Sequence, residues 1–422
     1  MSIIIPIDSL SEPQRAKILT DLQVEMPKTK QWVYPYLVDN DAIALPYHYA
    51  ISNGFLPRPR TDFQSVDIDY NGTLRDYQQE IKKEAIGELK KKCTLLLSLH
   101  VGWGKSRFAL YLASKLRFKT LILLNRLVLA TQWKELIEEV CPTAGVQFIK
   151  TKDALDPECT FYIINAINVA KKESGFFSSI GTVIVDEVHL ICAKSLFKSL
   201  FYLTPRYLIG LSATPYRPDG LGKLMDIYFG EYRITKKLYR KHTVHSIQTG
   251  LTIPFEYNWE GRIDWNSILV NQAEHPERNQ LIVDVVCYFK ERYFLILCKR
   301  LVQVELLSAM LKERHQSTTL LIGGCNDFDK DARIVLATPS KGGVGLSHDK
   351  LDTLFIASDV EQYYIQYLGR VFRTPEVQPV IFDLVDKNSV LKKHFATRRK
   401  VYHDAGGTIK VVKNYRDIID KK

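Results

Sequence analysis

Two short pairs, Lys105-Ser106 and Asp186-Glu187, have the side-chain types and the settings needed to hold a polyphosphate and hydrolyse it. Gly102-Trp103-Gly104-Lys105-Ser106 follows Thr94-Leu95-Leu96-Leu97, the pattern of a buried strand, and precedes Arg107 to Ala113, whose apolar residues recur at helical spacing. In a strand, loop and helix of that order, glycines let the backbone turn so that its N–H groups converge on phosphate oxygens, with the positive end of the helix behind them. The loop from Leu99 through His100, Val101, Gly102, Trp103 and Gly104 is therefore read as a nucleotide cradle. Lys105 would reach the β- and γ-phosphates and Ser106 would ligate Mg²⁺, which makes ATP and Mg²⁺ the expected cofactors. Leu99 stands where the pattern G-x-x-x-x-G-K-[ST] has its first glycine.

The second pair ends Gly181-Thr182-Val183-Ile184-Val185, a β-branched run of the kind that fills a strand buried on both faces. Packing alone gives no reason for two acids at that end. Asp186 there could hold Mg²⁺ and Glu187 could polarise the attacking water. Further along, Gln362 to Arg373 reads as a helix with Gln366, Arg370 and Arg373 at i, i+4 and i+7, on one face. A glutamine and two arginines projecting together can clamp a γ-phosphate and stabilise charge that develops during its transfer.

These side chains need a scaffold, and the pattern of strands and helices describes one. Short apolar runs at 95–99, 120–124, 161–164, 182–185 and 207–211 alternate with helical segments, and a second such series follows at 293–298, 318–322, 333–337, 353–356 and 380–382. Alternation of this kind predicts two tandem α/β domains with parallel sheets and a cleft between them. Ahead of them, Ser11-Glu12-Pro13-Gln14 fits a helix N-terminus with a capping box. Trp32 to Leu37 and Ala42 to Leu45 fit a hairpin around Asp39-Asn40-Asp41, and Pro57 to Arg60 a linker. The expected divisions are an accessory helix-plus-hairpin domain over 1–70, a first α/β domain over 71–232, a connection over 233–272 and a second α/β domain over 273–422. One spacing is tight, because only about ten residues separate Leu321-Ile322 from Arg333, short for a crossover helix.

At 422 residues, 46% hydrophobic and 25% charged, the composition is that of an ordinary globular protein. No apolar run approaches the ~20 residues of a membrane span, and the opening Ile3-Ile4-Ile5 lacks the features of a signal peptide. The chain is expected to be soluble, intracellular and monomeric, without a membrane partner. Its seven cysteines are scattered without C-x-x-C, which points to core packing rather than structural zinc. The net charge of +11 is uneven: from Val390 onward ten Lys and Arg face three Asp, with Tyr402 and Tyr415 interleaved, a pattern that suits a polyanion path.

Taken in order from Leu74 to Arg373, the motifs resemble those of the superfamily 2 helicases, whose cores are two RecA-like domains. Leu74-Arg75-Asp76-Tyr77-Gln78 resembles the Q motif, which implies that Gln78 reads the adenine edge while Arg75 and Tyr77 support the base. Asn125 to Trp133 looks like motif Ia, Gly210 to Pro215 motif III, Thr338 to Ser347 motif V and Gln366 to Arg373 motif VI. By that resemblance Arg126, Gln132, Trp133, Arg217 and Thr338 would contact nucleic acid. The Val185-Asp186-Glu187-Val188-His189 box, Gln132-Trp133 and Arg217-Pro218-Asp219 lean toward the XPB, bacteriophage UvsW and poxvirus transcript-release helicases, and Ser358 to Tyr363 running into Tyr367 to Arg373 is similar to the proteins of large cytoplasmic DNA viruses. A viral protein of this kind would work in the host cytoplasm or the virion, beside transcription or replication machinery. The implied substrate is DNA, with 3′ to 5′ movement, and RNA or RNA–DNA hybrids are the alternative. Two positions depart from the pattern: Ser347 replaces the common Asp of motif V, and Tyr367 a common Arg of motif VI.

Overall fold

The computed structural model describes residues 2–27, 29–55, 62–214, 217, 219–323, 328–342, 346, 348–360, 364–374 and 376–419. Pro57 to Arg60, Pro215, Pro218, Cys325, Gly345, Ser347, Gln362 and Tyr363 lie outside the described residues. The chain separates into two compact units, Met1–Leu99 with Trp103–Lys236, and His100–Gly102 with Lys237–Lys422.

Leucine and β-branched runs with no polar alternation can bury both faces only in a sheet covered by helices on each side. The first unit is built this way, on seven strands in the order Arg233–Lys236, Thr94–Leu99, Tyr207–Ser212, Thr182–Val185, Thr120–Leu124, Cys159–Asn165 and Gly145–Phe148. Every pairing is parallel, and Thr94–Leu99, Thr120–Leu124, Thr182–Val185 and Tyr207–Ser212 are buried at each position. In-register pairing of Val185 with Leu123 and of Val185 with Gly210 brings the ends of three strands to one level, the level of Asp186. Loops that leave the carboxyl ends of such a sheet are where ligands are met in open α/β folds.

The N-terminal residues form the predicted helix, Glu12–Asp21, in which the Ser11 N–H donates to Gln14 Oε1 at 2.9 Å. The hairpin is shorter than expected: Leu37–Asp39 pairs with Ala42–Pro46, whereas Gln31–Val33 pairs with Val24–Met26. Ile3-Ile4-Ile5 becomes a third strand against Ala42–Pro46. These elements share one core with the first sheet's helices, in which Ile5, Leu22, Leu45 and Tyr47 cluster with Val188, Leu200, Leu224 and Phe229. The Ser2 N–H donates to the Leu203 carbonyl at 3.0 Å and the Tyr47 hydroxyl to the Arg206 carbonyl at 2.9 Å. The accessory region is thus continuous with the first unit, because its apolar faces are too small to close a core alone.

The second unit repeats the architecture with seven strands in the order Thr318–Leu321, Ile334–Ala337, Phe294–Leu297, Thr353–Ile356, Val380–Val385, His242–Gln248 and Gly407–Val412, again all parallel. The residues read as a connection, 233–272, are divided: Arg233–Lys236 is an edge strand of the first sheet, and His242–Gln248 is an inner strand of the second. Alternating polar residues in His242-Thr243-Val244-His245-Ser246 disguised that inner strand. The tight spacing after Leu321 holds, since Thr318–Leu321 and Ile334–Ala337 pair in parallel with no helix among the described residues between them.

The basic C-terminal helix, Ser389–Asp404, is not the polyanion path its composition suggested throughout. Arg398 is buried, donating to Asp383 Oδ2 at 2.7 Å and Asp359 Oδ1 at 2.6 Å, and the buried Tyr402 hydroxyl donates to Asp383 Oδ2 at 2.8 Å. The Tyr415 hydroxyl donates to Asp284 at 3.1 Å. Lys392, Lys393, Arg399 and Lys400 remain exposed.

Candidate active site

The phosphate loop leaves Thr94–Leu99 and enters the helix Lys105–Leu116. Leu99 is fully buried as the last strand residue, so its side chain belongs to the core and the loop proper starts at His100. Gly102 and Gly104 have φ of +82° and +90°, a region that side chains with a Cβ avoid. At Gly104 there is no space either, since a Cβ would lie 2.6 Å from Gln78 Nε2. His100 Nδ1 donates to the Val101 carbonyl at 2.8 Å. Trp103 is buried, its ring between Tyr77 and Phe108 with centroids 5.3 and 5.4 Å away. Ser106 and Lys105 sit in the first turn, where the helix dipole favours an anion.

Gln78 is tied to the phosphate loop as well as to its own helix. Buried in the helix Asp76–Lys92, it accepts from the Arg75 N–H at 2.9 Å and donates to the Trp103 carbonyl at 3.1 Å and the Gly104 carbonyl at 3.4 Å. Both ends of its amide are therefore engaged with its own helix start and with the loop, where the resemblance implied an adenine edge. The Tyr77 hydroxyl donates to the same Trp103 carbonyl at 3.2 Å, and Arg75 Nη1 donates to Tyr77 at 2.6 Å. Arg75, Tyr77 and Gln78 are thus gathered under the loop.

Asp186 and Glu187 follow the strand Thr182–Val185. The Asp186 N–H donates to the Leu123 carbonyl at 3.0 Å, and Asp186 Oδ1 accepts from the Glu187 N–H at 2.9 Å. Glu187 has φ +46°, a strained setting for a residue with a Cβ, and its Oε2 is buried with no hydrogen-bond partner among the described residues. Burial, and then the Glu187 charge, push the Asp186 carboxyl above its ordinary value, against the Trp133 N–H and the Lys105 charge. A buried Asp186 beside a half-buried Glu187, whose Oε2 lacks a hydrogen-bond partner among the described residues, is a donor set that a divalent cation fits, because the ion supplies the missing positive charge. Asp186 and the Ser106 hydroxyl are the residues that would hold it.

His189 is held among these groups, with Nδ1 2.9 Å from Ser212 Oγ and 3.4 Å from Glu187 Oε2. Burial, then the Arg217 and Lys105 charges, lower its pKa to about 3, so the ring is neutral at pH 7. Ser212 Oγ also accepts from the Thr214 N–H at 3.0 Å. Sequence reasoning named neither His189 nor Ser212 as a site residue. The signal is present in the sequence, since His189 follows the Asp186-Glu187 pair and Ser212 lies in Gly210 to Pro215, at the ends of adjacent strands.

Two residues expected on nucleic acid are placed otherwise. Trp133 is 2% exposed and donates its indole N–H to Asp186 Oδ2 at 2.8 Å. Arg217 pairs with Asp219 and donates to the His189 carbonyl. Trp133 is inside because the helix Val128–Val140 turns its apolar face, Leu129, Ala130, Trp133, Ile137 and Val140, inward, and Arg217 because it follows the neighbouring strand Tyr207–Ser212. Arg126 is half-buried and Gln132 exposed.

In the second unit, Thr338 is half-buried at the start of the turn Pro339–Gly342. The predicted motif VI helix is Tyr364–Val371, so Arg373 falls beyond its end rather than on the face of Gln366 and Arg370. Gln366 is buried. Arg370 and Arg373 are nonetheless brought together, both donating to the Leu346 carbonyl, at 2.7 and 3.4 Å. Tyr367, the unusual residue, donates its hydroxyl to the Pro339 carbonyl at 3.1 Å and ties the helix to the Thr338 turn.

Comparison with known proteins agrees with this arrangement. Residues 71–217 match the family model described as type III restriction enzyme, res subunit. The chain is 42% identical over 405 residues to "Putative helicase 161L" of Invertebrate iridescent virus 6, covering 89% of this chain and 90% of the relative. It is 32% identical over 349 residues to "Putative helicase 055L" of Frog virus 3 (isolate Goorha), covering 81% and 80%. Among solved structures, Saccharomyces cerevisiae Dbp5 bound to RNA and ADP BeF3 shares the fold, with a TM-score of 0.58, 11% identity and coverage of 80% of this chain and 91% of that one. With two parallel-sheet units, a lysine-bearing phosphate loop and an adjacent carboxylate pair in place, the chain belongs to the superfamily 2 helicases, ATP-driven enzymes acting on nucleic acid, in the group found in large DNA viruses.

Proposed function

We propose that the protein is a DNA helicase or translocase that moves 3′ to 5′ and remodels DNA during transcription, repair or recombination. The observation that carries the motor reading is the Asp186–Glu187 pair on a strand end, within reach of the Lys105 charge. Lys105 binds the β- and γ-phosphates, Ser106 and Asp186 hold Mg²⁺, and Glu187 orients and deprotonates water. Arg370 and Arg373 stabilise the charge that develops on the transferred phosphate. The DNA preference is supported by the XPB- and UvsW-like motifs and by the restriction-enzyme family model.

Trp32 and Tyr34 are 48% and 47% exposed, whereas Tyr47 and Tyr49 are buried. The exposed pair serves substrate selection by stacking on bases, worth ~1–3 kcal/mol per stacked base. Because residues 1–55 share the first unit's core, this is tested by Trp32→Ala and Tyr34→Ala rather than by deletion. Those variants should keep basal ATPase and lose binding to forked DNA more than to plain single strands.

The deciding measurement is ATPase stimulation and strand displacement on DNA and RNA of equal length, with 3′ and 5′ overhangs. Stimulation by DNA with displacement from 3′ overhangs is expected. Greater stimulation by RNA would replace this reading with the RNA helicase. Glu187→Gln should retain ATP and nucleic-acid binding while turnover falls ~10²-fold or more, since an amide cannot accept the proton of the attacking water.

A further inference from the structure

The neighbouring strands Thr120–Leu124 and Thr182–Val185 run in parallel with Leu123 opposite Val185, so the segment leaving one lies over the segment leaving the other. The first continues into the helix Val128–Val140 and the second into Asp186. Trp133 projects from that helix and ends 2.8 Å from Asp186 Oδ2, fifty-three positions away in sequence. A tryptophan needs no acceptor to fill a core, but a buried indole N–H is costly without one. Here the acceptor is one of the two oxygens expected to meet the metal.

We propose that Trp133 is a positioning residue for the metal-binding carboxylate, its indole N–H fixing Asp186 Oδ2 while the Glu187 N–H fixes Oδ1. The inference rests on the reading that Asp186 holds Mg²⁺. With one protein donor on each oxygen, at 2.8 and 2.9 Å, the carboxylate plane is set before any ion arrives. Each oxygen keeps a lone pair for the ion. A carboxylate free to rotate would have to be ordered on binding, and the loss would appear in metal affinity. Outer groups that orient a ligand in this way are typically worth 10- to 100-fold in metal affinity.

The test uses Trp133→Phe, which keeps a ring and removes the donor, and Asp186→Asn, in the full-length protein. Mn²⁺ affinity is read by electron paramagnetic resonance with AMP-PNP bound, alongside AMP-PNP affinity in EDTA and a metal-free thermal melt. Trp133→Phe should weaken Mn²⁺ binding about 10-fold while metal-free nucleotide affinity stays within twofold of the parent. If Asp186→Asn weakens Mn²⁺ and Trp133→Phe does not, the positioning role is overturned. If Asp186→Asn leaves Mn²⁺ affinity unchanged, the metal reading itself fails, and the role with it. A measurement on the parent protein covers a variant that does not fold. The Trp133 indole ¹⁵N–H resonance, identified by single replacement of Trp32, Trp103, Trp259 and Trp265, should move when Mg²⁺ is added to the AMP-PNP complex. A resonance that stays in place overturns the proposal.

Discussion

Gln78 donates from its side-chain amide to the Trp103 carbonyl at 3.1 Å, so the helix Asp76–Lys92 holds the phosphate loop through this buried side chain beside the Tyr77 hydroxyl. The loop's shape therefore depends on a residue outside it. Gln78→Leu should weaken ATP binding ~10-fold, about 1–1.5 kcal/mol for a lost buried hydrogen bond. Gln78→Glu should be worse, because a carboxylate would face the Trp103 and Gly104 carbonyls. Titration with a fluorescent ATP analogue ranks the three proteins, and equal affinities would show that the loop keeps its shape unaided.

Arg370 and Arg373 meet at the Leu346 carbonyl although only Arg370 lies within the helix Tyr364–Val371. Arg370→Ala and Arg373→Ala should each slow ATP turnover by ~10²-fold, the usual loss when one donor to developing charge is removed. Nucleotide affinity should change much less. Single-turnover hydrolysis separates the two, and unchanged rates in both variants would remove these arginines from the chemistry.

Arg398 bridges Asp383 and Asp359, all three nearly inaccessible to solvent. Removing the cation leaves two buried carboxylates facing each other, so Arg398→Ala should destabilise the second unit by ~3–5 kcal/mol. Arg398→Lys keeps the charge but not the fork that reaches both acids, and should fall between. Urea unfolding followed by far-UV circular dichroism measures the order.

His245 lies in the strand His242–Gln248 with its ring stacked on Phe382, 5.2 Å between centroids. Burial, then the Lys410 charge, lower its pKa from 6.5 to about 4. A histidine depressed in the folded state binds its proton more readily when unfolded. Its contribution to stability is therefore complete above about pH 6.5 and is lost as pH falls through 4. His245→Gln should remove this sensitivity, flattening the fall between pH 7 and 5 by about 1 kcal/mol once solvent screening of a part-exposed ring is allowed for. An unaltered pH slope in urea melts would mean that the ring titrates alike in the folded and unfolded protein, and that burial does not depress it.

The local chemistry was legible in the linear order of residues. Val185-Asp186-Glu187 marks a strand end and Gly104-Lys105-Ser106 a turn into a helix start, and those are short-range consequences of residue type. The leucine and β-branched runs likewise implied two parallel sheets, because such runs can be covered only from both sides. What the order of residues could not supply was the partner of each buried polar group. Trp133 and Arg217 look like exposed motif residues until the sheet register brings them to Asp186 and to the His189 carbonyl. Tyr402 and Arg398 look like part of a basic surface until the helix Ser389–Asp404 packs them on Asp383. His242–Gln248 is concealed by its own polar residues, and only its two parallel neighbours identify it as an inner strand. In each case the deciding term is a hydrogen bond or ion pair between residues far apart in sequence, which side-chain periodicity along one segment does not encode.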